Sequence, residues 1–179
     1  MSFVVTVFGS ARAEPGSPLY QEAMRLGELL GAAGFGVATG GYGGVMEAVL
    51  RGAALYAVRR IGVVTPELRQ RQVNPYVAEL LSVPTYLERL HRLLQLGDAY
   101  VLLPGGTGTL LELFAVLALR ERSLLPSRPV FCLGHPWSEV FGRLVEVLPE
   151  LAPARQLVSL CQTPDEVLDQ LRYALLGGR

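Results

Sequence analysis

The sequence predicts a doubly wound, Rossmann-like α/β fold with three layers, in which one parallel sheet lies between two layers of helices. Short apolar runs rich in β-branched residues alternate with longer segments of helical periodicity, as in repeated strand–helix–strand units. The apolar runs lack polar–apolar alternation, which is typical of strands buried on both faces. We therefore expect five to seven parallel strands, with a ligand site beyond their carboxyl ends.

The first half of the chain contains three predicted strands and two predicted helices. Phe3–Phe8 is an apolar, valine-rich run that ends at a Gly-Ser pair, and residues 19–33 place leucine and alanine on one helical face. A strand over 35–39, a helix over 45–55 and a strand over 60–64 follow. Thr65–Pro84 is polar and contains prolines, so we expect a loop or lid with little regular structure.

The second half continues the alternation. Apolar spacing predicts a helix over Tyr86–Leu96 and a strand over Ala99–Leu103, after which a glycine-rich turn opens a helix to about Leu119. The remaining predicted elements are a strand over 129–133 and helices near 137–148 and 164–175. No repeat or linker divides the 179 residues, so we expect a single domain over residues 1–179.

Composition excludes several classes of function. The formal net charge is zero, whereas a protein that binds nucleic acid through its phosphates needs a basic excess. All 16 basic residues are arginine, yet pyridoxal-phosphate enzymes and Walker-type NTPases both require a lysine. Cysteine and histidine show no metal-ligand spacing, so we expect no metal. The sequence has no signal-peptide pattern and no apolar stretch of about 18 residues, which predicts a cytoplasmic protein without a membrane span.

Three predicted strands end in glycine-rich turns, and such turns should converge at one edge of a parallel sheet. Glycine lets the backbone approach a ligand closely, and helix N-termini present unpaired N–H groups with partial positive charge. Phosphate is therefore the expected ligand, although some of these glycines could serve only to form tight turns. No turn has the dinucleotide fingerprint G-x-G-x-x-G after the first strand, which argues against NAD. The candidate phosphate-binding residues are Gly9, Ser10, Gly40, Gly41, Gly43, Gly44, Gly105, Gly106, Thr107, Gly108 and Thr109.

A glutamate follows two of these turns at a distance of about one helical turn. If the third helix begins near Gly108, Glu112 lies one turn below the expected phosphate and leans back towards it. At that depth a carboxylate reaches a ribose rather than the phosphate. Glu47 stands in the same relation to Gly44, so it is a second candidate for binding. The alternative for either glutamate is favourable placement against the helix dipole on a solvated face.

These residues resemble the LOG ("lonely guy") family. Residues 104–112 (PGGTGTLLE) match its PGGxGTxxE signature, and VTVFGSAR, TGGYGGVMEAVLRGA and Asn74-Pro75-Tyr76 are similar to further family segments in the expected order. The similarity covers roughly residues 3–133. Family members are cytokinin riboside 5′-monophosphate phosphoribohydrolases that were long mislabelled as lysine decarboxylases, a label that the absence of lysine also rejects.

The resemblance implies an N-glycosidase that releases a free base and ribose 5-phosphate from AMP or a cytokinin riboside monophosphate, without a cofactor. It implies Glu112 and Arg89 as catalytic residues. The family has an Arg-Lys pair where this chain has Arg89-Leu90, and Arg92, one turn on, is a hypothetical replacement for the missing charge. The resemblance also implies a homodimer or higher homo-oligomer, which fits the apolar segment 111–119.

Two alternatives to the hydrolase remain. A non-catalytic carrier of a phosphorylated ligand, similar to molybdenum-cofactor carriers, would share the fold and the turns, and Leu90 in place of lysine favours it. A nucleic-acid-processing relative is opposed by the zero net charge. The sequence does not identify the base, although Thr65–Pro84 is the segment expected to shape its pocket.

Overall fold

Seven parallel strands form one sheet in the computed structural model, which describes residues 3–69 and 71–177. The strand order is β4-β3-β2-β1-β5-β6-β7, so the chain winds outward in both directions from β1. The strands are β1 Val4–Phe8, β2 Gly36–Thr39, β3 Arg60–Val64, β4 Glu79–Ser82, β5 Ala99–Leu102, β6 Val130–Leu133 and β7 Val158–Cys161.

Helices connect these strands and cover both faces of the sheet. Ser17, Thr85 and Thr163 cap three of them, each accepting a hydrogen bond from a backbone N–H of the first turn, which satisfies an otherwise unpaired donor. Among the described residues, no helix has both the length and the apolar character needed to cross a bilayer. The helices are α1 Pro18–Ala32, α2 Val45–Ala53, α3 Tyr86–Leu96, α4 Thr107–Glu121, α5 Pro136–Val147, α6 Ala152–Gln156 and α7 Pro164–Leu176.

Alternate residues of each strand face two separate cores. Val5 and Val7 of β1 pack in the cluster that contains α1, α2 and α7, whereas Val4 and Phe8 pack in the cluster that contains α3, α4 and α5. Because both faces are buried, every residue of β1 is apolar or, like Thr6, hydrogen-bonded: the Thr6 hydroxyl donates to the backbone oxygen of Leu93 at 3.0 Å. The predicted three-layer α/β/α fold is confirmed.

The prediction of an irregular segment over Thr65–Pro84 is wrong in part. It contains a short 3-10 turn, Pro66–Leu68, and the edge strand β4, Glu79–Ser82. Strand β7 and helix α6 are also missing from the predicted elements. Both strands lie at the edges of the sheet, where one strand face or edge is less buried and the apolar pattern is correspondingly weaker. Leu80 of β4, for example, is 54% exposed.

Candidate functional site

A cavity of about 620 Å³ lies beyond the carboxyl ends of the central strands. Its lining includes residues of all three glycine-rich turns, so the turns that were expected to converge do so. The predicted residues that line it are Gly9, Ser10, Gly40, Gly106, Thr107, Gly108, Thr109, Arg89 and Glu112. This is the edge at which doubly wound sheets bind ligands.

Backbone hydrogen bonds tie the three turns together at Ser10. Its N–H donates to the oxygen of Pro104 at 3.1 Å, and its own oxygen accepts from the N–H of Val45 at 2.9 Å. Gly44 adopts a positive φ of 70°, and a Cβ there would collide with the Ser10 backbone. Glycine is therefore required for both the conformation and the close approach of the second turn to the first.

The N-terminus of α4 presents unpaired backbone donors to the cavity. Gly106 is its N-cap and supplies no side-chain hydrogen bond, and the first intrahelical bond runs from the N–H of Leu110 to Gly106 at 3.1 Å. The N–H groups of Thr107, Gly108 and Thr109 find no acceptor among the described residues. Gly106, Thr107, Gly108 and Thr109 all line the cavity, so these donors lie at its wall. Together with the helix dipole, this arrangement can hold an anion.

Arg89 is the buried cation of the cavity, with 4% of its surface exposed. Its Nε donates to the backbone oxygen of Val63 at 2.8 Å, and its guanidinium lies 5.4 Å from the Tyr42 ring centre and 5.7 Å from that of Tyr86. Gly40 makes room for it, because a Cβ there would overlap the guanidinium. Burial lowers the pKa of Arg89, an effect opposed by the charge of Glu112. The terminal nitrogens of this clamped side chain can still donate to a ligand.

Glu112 faces the same cavity from the second turn of α4. Burial raises the pKa of its carboxyl to about 7, while the positive charge of Arg89 opposes the rise. Among the described residues, none of the ion pairs involves Glu112 or Arg89. A carboxyl group that titrates near neutral pH in a cleft is suited to proton transfer or to stabilising a cation.

Five of the predicted binding residues lie outside the cavity lining: Gly41, Gly43, Gly44, Gly105 and Glu47. One oxygen of the Glu47 carboxylate accepts a hydrogen bond from the hydroxyl of Tyr20 at 2.8 Å, and its contact with a ligand stays a prediction. Gly41, Gly44 and Gly105 each lie close to backbone atoms of neighbouring segments. Their proposed contact with a ligand stays a prediction.

The side chain of Asn74 holds the second turn in place. Its Nδ2 donates to the backbone oxygen of Tyr42 at 2.8 Å, and its backbone N–H donates to the oxygen of Gly41 at 2.9 Å. The Tyr42 hydroxyl in turn donates to the backbone oxygen of Thr65 at 3.2 Å. The Asn-Pro-Tyr segment therefore supports the ring on which Arg89 lies.

Sequence reasoning missed two arginines of the site. Arg12 and Arg71 both line the cavity, whereas Arg92 does not: its side chain is exposed and bonds Gln95 at 3.5 Å. The hypothesis that Arg92 replaces the charge of the family lysine is therefore wrong, because its side chain does not reach the cavity. Arg12 follows the first glycine-rich turn directly, so its place in the sequence could have indicated a role in the site. The irregular pattern around Arg71 gives no sign that its side chain would line the cavity.

Among the described residues, no group of three or more His, Cys, Asp or Glu side chains could hold a metal ion. Both Cys132 and Cys161 are buried and free, and burial raises the pKa of each thiol. The polar groups of the cavity are thus carboxyl, guanidinium, hydroxyl and backbone amide.

This fold and cavity define a Rossmann-like protein with a cavity at the carboxyl edge of its sheet that is lined by backbone amides and arginines. A family model described as "Possible lysine decarboxylase" matches residues 46–171. The chain belongs to this family, which is the LOG family.

Two curated relatives illustrate the family. A pyrimidine/purine nucleotide 5′-monophosphate nucleosidase of Escherichia coli (strain K12) is 33% identical over 108 residues, which cover 56% of this chain and 24% of the relative. A probable cytokinin riboside 5′-monophosphate phosphoribohydrolase of Oryza sativa subsp. japonica is 31% identical over 161 residues, covering 85% of this chain and 64% of the relative. The chain thus spans less than two thirds of the length of either protein.

A solved structure shows the same fold. The molybdenum cofactor carrier protein of Chlamydomonas reinhardtii superposes with a TM-score of 0.74 at 21% identity, over 98% of this chain and 99% of the carrier. At that identity the likeness concerns the fold alone.

Proposed function

We propose that the protein hydrolyses the N-glycosidic bond of a nucleoside 5′-monophosphate and releases the free base and ribose 5-phosphate. The observation that carries this proposal is the placement of Glu112 and the free amides of α4 in one cavity. Membership of the family and the printed activities of the two relatives support it.

The N-terminus of α4 supplies the binding energy for the 5′-phosphate. The backbone N–H groups of Thr107–Thr109 lie at the cavity wall without an acceptor among the described residues, and Ser10, whose hydroxyl accepts from the N–H of Arg12 at 3.1 Å, lines the same cavity. A hydroxyl that accepts one hydrogen bond can donate its own proton to a phosphate oxygen. Fixing the phosphate orients the ribose, which converts binding energy into positioning.

Glu112 acts on the ribose. As the bond from C1′ to the base nitrogen breaks, its electron pair leaves with the base and C1′ acquires oxocarbenium character. An ionised Glu112 stabilises this cation, or accepts a proton from the water whose oxygen bonds C1′. The oxygen of that water stays on C1′ as a hydroxyl, and the proton that the water loses balances the one taken up by the departing base nitrogen, passed on through Glu112 or solvent.

Arg89 acts on the negative charge that develops during the reaction. Its Nε donates to Val63 and its Nη2 to Met46 Sδ at 3.9 Å, so the orientation of the guanidinium is fixed and its remaining N–H donors are left for the ligand. A preoriented cation in a low-dielectric site stabilises developing charge without reorganisation. In this proposal Arg89 serves the leaving base or the phosphate.

The proposal is tested by incubating the purified protein with a panel of nucleoside 5′-monophosphates and measuring ribose 5-phosphate and free base. We expect both products in equal amounts from at least one nucleotide, and none from the corresponding unphosphorylated nucleoside. Release of base from the nucleoside at the same rate would contradict the role given to the α4 amides.

A non-catalytic carrier of a phosphorylated ligand is the second candidate. Leu90, which stands where the LOG signature has a lysine, is partly buried and packs against the core, so it supplies no charge to the cavity. A carrier would retain a phosphorylated cofactor through purification and release no base from any nucleotide in the same panel.

A further inference from the structure

Arg71 is a further cation that lines the cavity. It belongs to the segment between β3 and β4 and lines the cavity beside Leu68. Its guanidinium lies 5.8 Å from the centre of the Tyr42 ring, which Arg89 also approaches. Among the described residues, none of the ion pairs uses Arg71. Its N–H donors are therefore available to a ligand.

The chain that carries Arg71 leaves the sheet at β3, three strands away from β5, which leads into α4. Helix α4 follows β5, whereas Arg71 follows β3, and the sheet order between them is β3-β2-β1-β5. At a spacing of about 4.8 Å between neighbouring strands, the carboxyl ends of β3 and β5 are roughly 14 Å apart. A nucleotide with its phosphate at α4 and its ribose at Glu112 therefore extends its base towards β3. Leu68 offers the apolar surface on which a base can lie.

The side chain of Arg71 brings only hydrogen-bond donors to the cavity. A guanidinium carries five N–H donors in a planar fork and no acceptor. Glu67, the acid of the same segment, does not line the cavity, and its Oε2 accepts from the backbone N–H of Tyr86 at 2.6 Å. The base that suits this end presents acceptors. Guanine does so through O6 and N7, to which arginine binds bidentately, whereas adenine places an amino donor beside N7.

We propose that Arg71 selects the base and that the site prefers nucleoside monophosphates whose purine carries an oxo group at C6, such as GMP, over those with an amino group at C6, such as AMP. This inference rests on the proposed function, because it assigns the remaining end of the same cavity. It departs from the expectation of AMP as substrate that the family resemblance implies.

The test compares wild type with Arg71→Ala, using calorimetric Kd values for GMP, AMP and ribose 5-phosphate together with kcat/KM for each nucleotide. For wild type we expect GMP to bind about tenfold or more tightly than AMP, the discrimination of one good bidentate pair. In Arg71→Ala that preference disappears, while the Kd of ribose 5-phosphate is unchanged. Arg69→Ala is the matched control, because it removes an exposed arginine of the same segment that does not line the cavity, and it retains the preference.

Two results overturn the inference. One is equal binding of GMP and AMP by wild type. The other is an equal loss of affinity for GMP, AMP and ribose 5-phosphate in Arg71→Ala, which would assign Arg71 to the phosphoribose. Failure of the proposed function is separate, because it appears as absence of base release, whereas the Kd values report on Arg71 with or without turnover.

Discussion

Arg89 and Glu112 line one cavity as opposite charges that influence each other's ionisation without forming an ion pair. Arg89 is clamped to Val63 from the side of β3, and Glu112 is carried by α4. Because the two groups belong to elements on either side of the cavity, a ligand can lie between them. A direct salt bridge would have neutralised both groups and filled the space.

Replacement of Glu112 by Gln tests its part in the chemistry. The amide keeps the size of the side chain and its hydrogen bonding but loses the negative charge that meets the oxocarbenium ion. We expect kcat to fall about 100-fold or more while the nucleotide still binds, as for an interaction made chiefly in the transition state. Glu121→Gln, an exposed position on the same helix, should retain full kcat; unchanged turnover in Glu112→Gln would remove this residue from the mechanism.

The pH dependence of catalysis should report the ionisation of Glu112. Its pKa is raised to about 7 by burial, and the proposed mechanism requires the ionised form. The rate should therefore rise with pH through about 7 and level off above it. A profile measured as kcat/KM from pH 5 to 9 checks this, and a rate that falls through neutrality would assign Glu112 as a proton donor instead.

The raised pKa of Glu112 should also affect the stability of the fold, which should fall as pH rises, whereas the rate should increase. The pKa of Glu112 is about 7 in the folded chain against an ordinary value of 4.5, so the unfolded chain loses this proton first. The contribution of Glu112 to the free energy of unfolding is therefore greatest below pH 4.5, and this contribution is lost as pH rises through the folded pKa of about 7. We expect Glu112→Gln to have a higher Tm than wild type at pH 8 and an equal one near pH 4.5. Equal Tm values at pH 8 would show that ionisation of Glu112 does not destabilise the folded chain.

Arg89→Lys should show that orientation matters as well as charge. Lysine keeps the positive charge but lacks the planar fork that bonds Val63 and lies against Tyr42 and Tyr86. We expect kcat to fall about tenfold or more. In Arg92→Lys, an exposed site on the same helix, kinetics should match wild type. Full activity in Arg89→Lys would mean that a point charge suffices.

Gly40→Ala should disturb the site through packing alone. The added methyl group would overlap the Arg89 guanidinium and press against Met46, so we expect a loss of about 1–3 kcal/mol in the free energy of unfolding together with reduced turnover. In Gly142→Ala the added group meets no atom within 4 Å, and since this glycine lies inside α5, the change should stabilise the helix by about 0.5–1 kcal/mol. Denaturant titration measures the free energy of unfolding of each variant and distinguishes the loss expected for Gly40→Ala from the gain expected for Gly142→Ala.

Local pattern was enough to predict the central strands, every helix except the short α6, and the turn–helix junctions. Buried strands such as β1 and the capped helix α3 carry strong signals, because apolar periodicity and capping residues agree there. The edge strands β4 and β7 do not, since partial exposure of residues such as Leu80 dilutes the pattern.

The candidate site was predictable where a sequence motif fixes geometry, as for the α4 turn and Glu112. It was not predictable where a side chain depends on tertiary contacts. Arg71 lines the cavity with its guanidinium 5.8 Å from the centre of the Tyr42 ring, and the carboxylate of Glu47 accepts a hydrogen bond from Tyr20, 27 residues earlier. Neither contact can be predicted from the spacing of residues along the sequence, because each joins residues that are far apart in the chain. Burial of Leu111, which is 43% exposed, by a second subunit stays a prediction.

A crystal structure of Glu112→Gln with a nucleoside 5′-monophosphate bound tests the central claim most directly. We predict phosphate oxygens within hydrogen-bond distance of the backbone nitrogens of Thr107–Thr109, with the side-chain amide introduced at position 112 facing the ribose. A phosphate bound elsewhere, or a ribose directed away from position 112, would contradict the proposed mechanism.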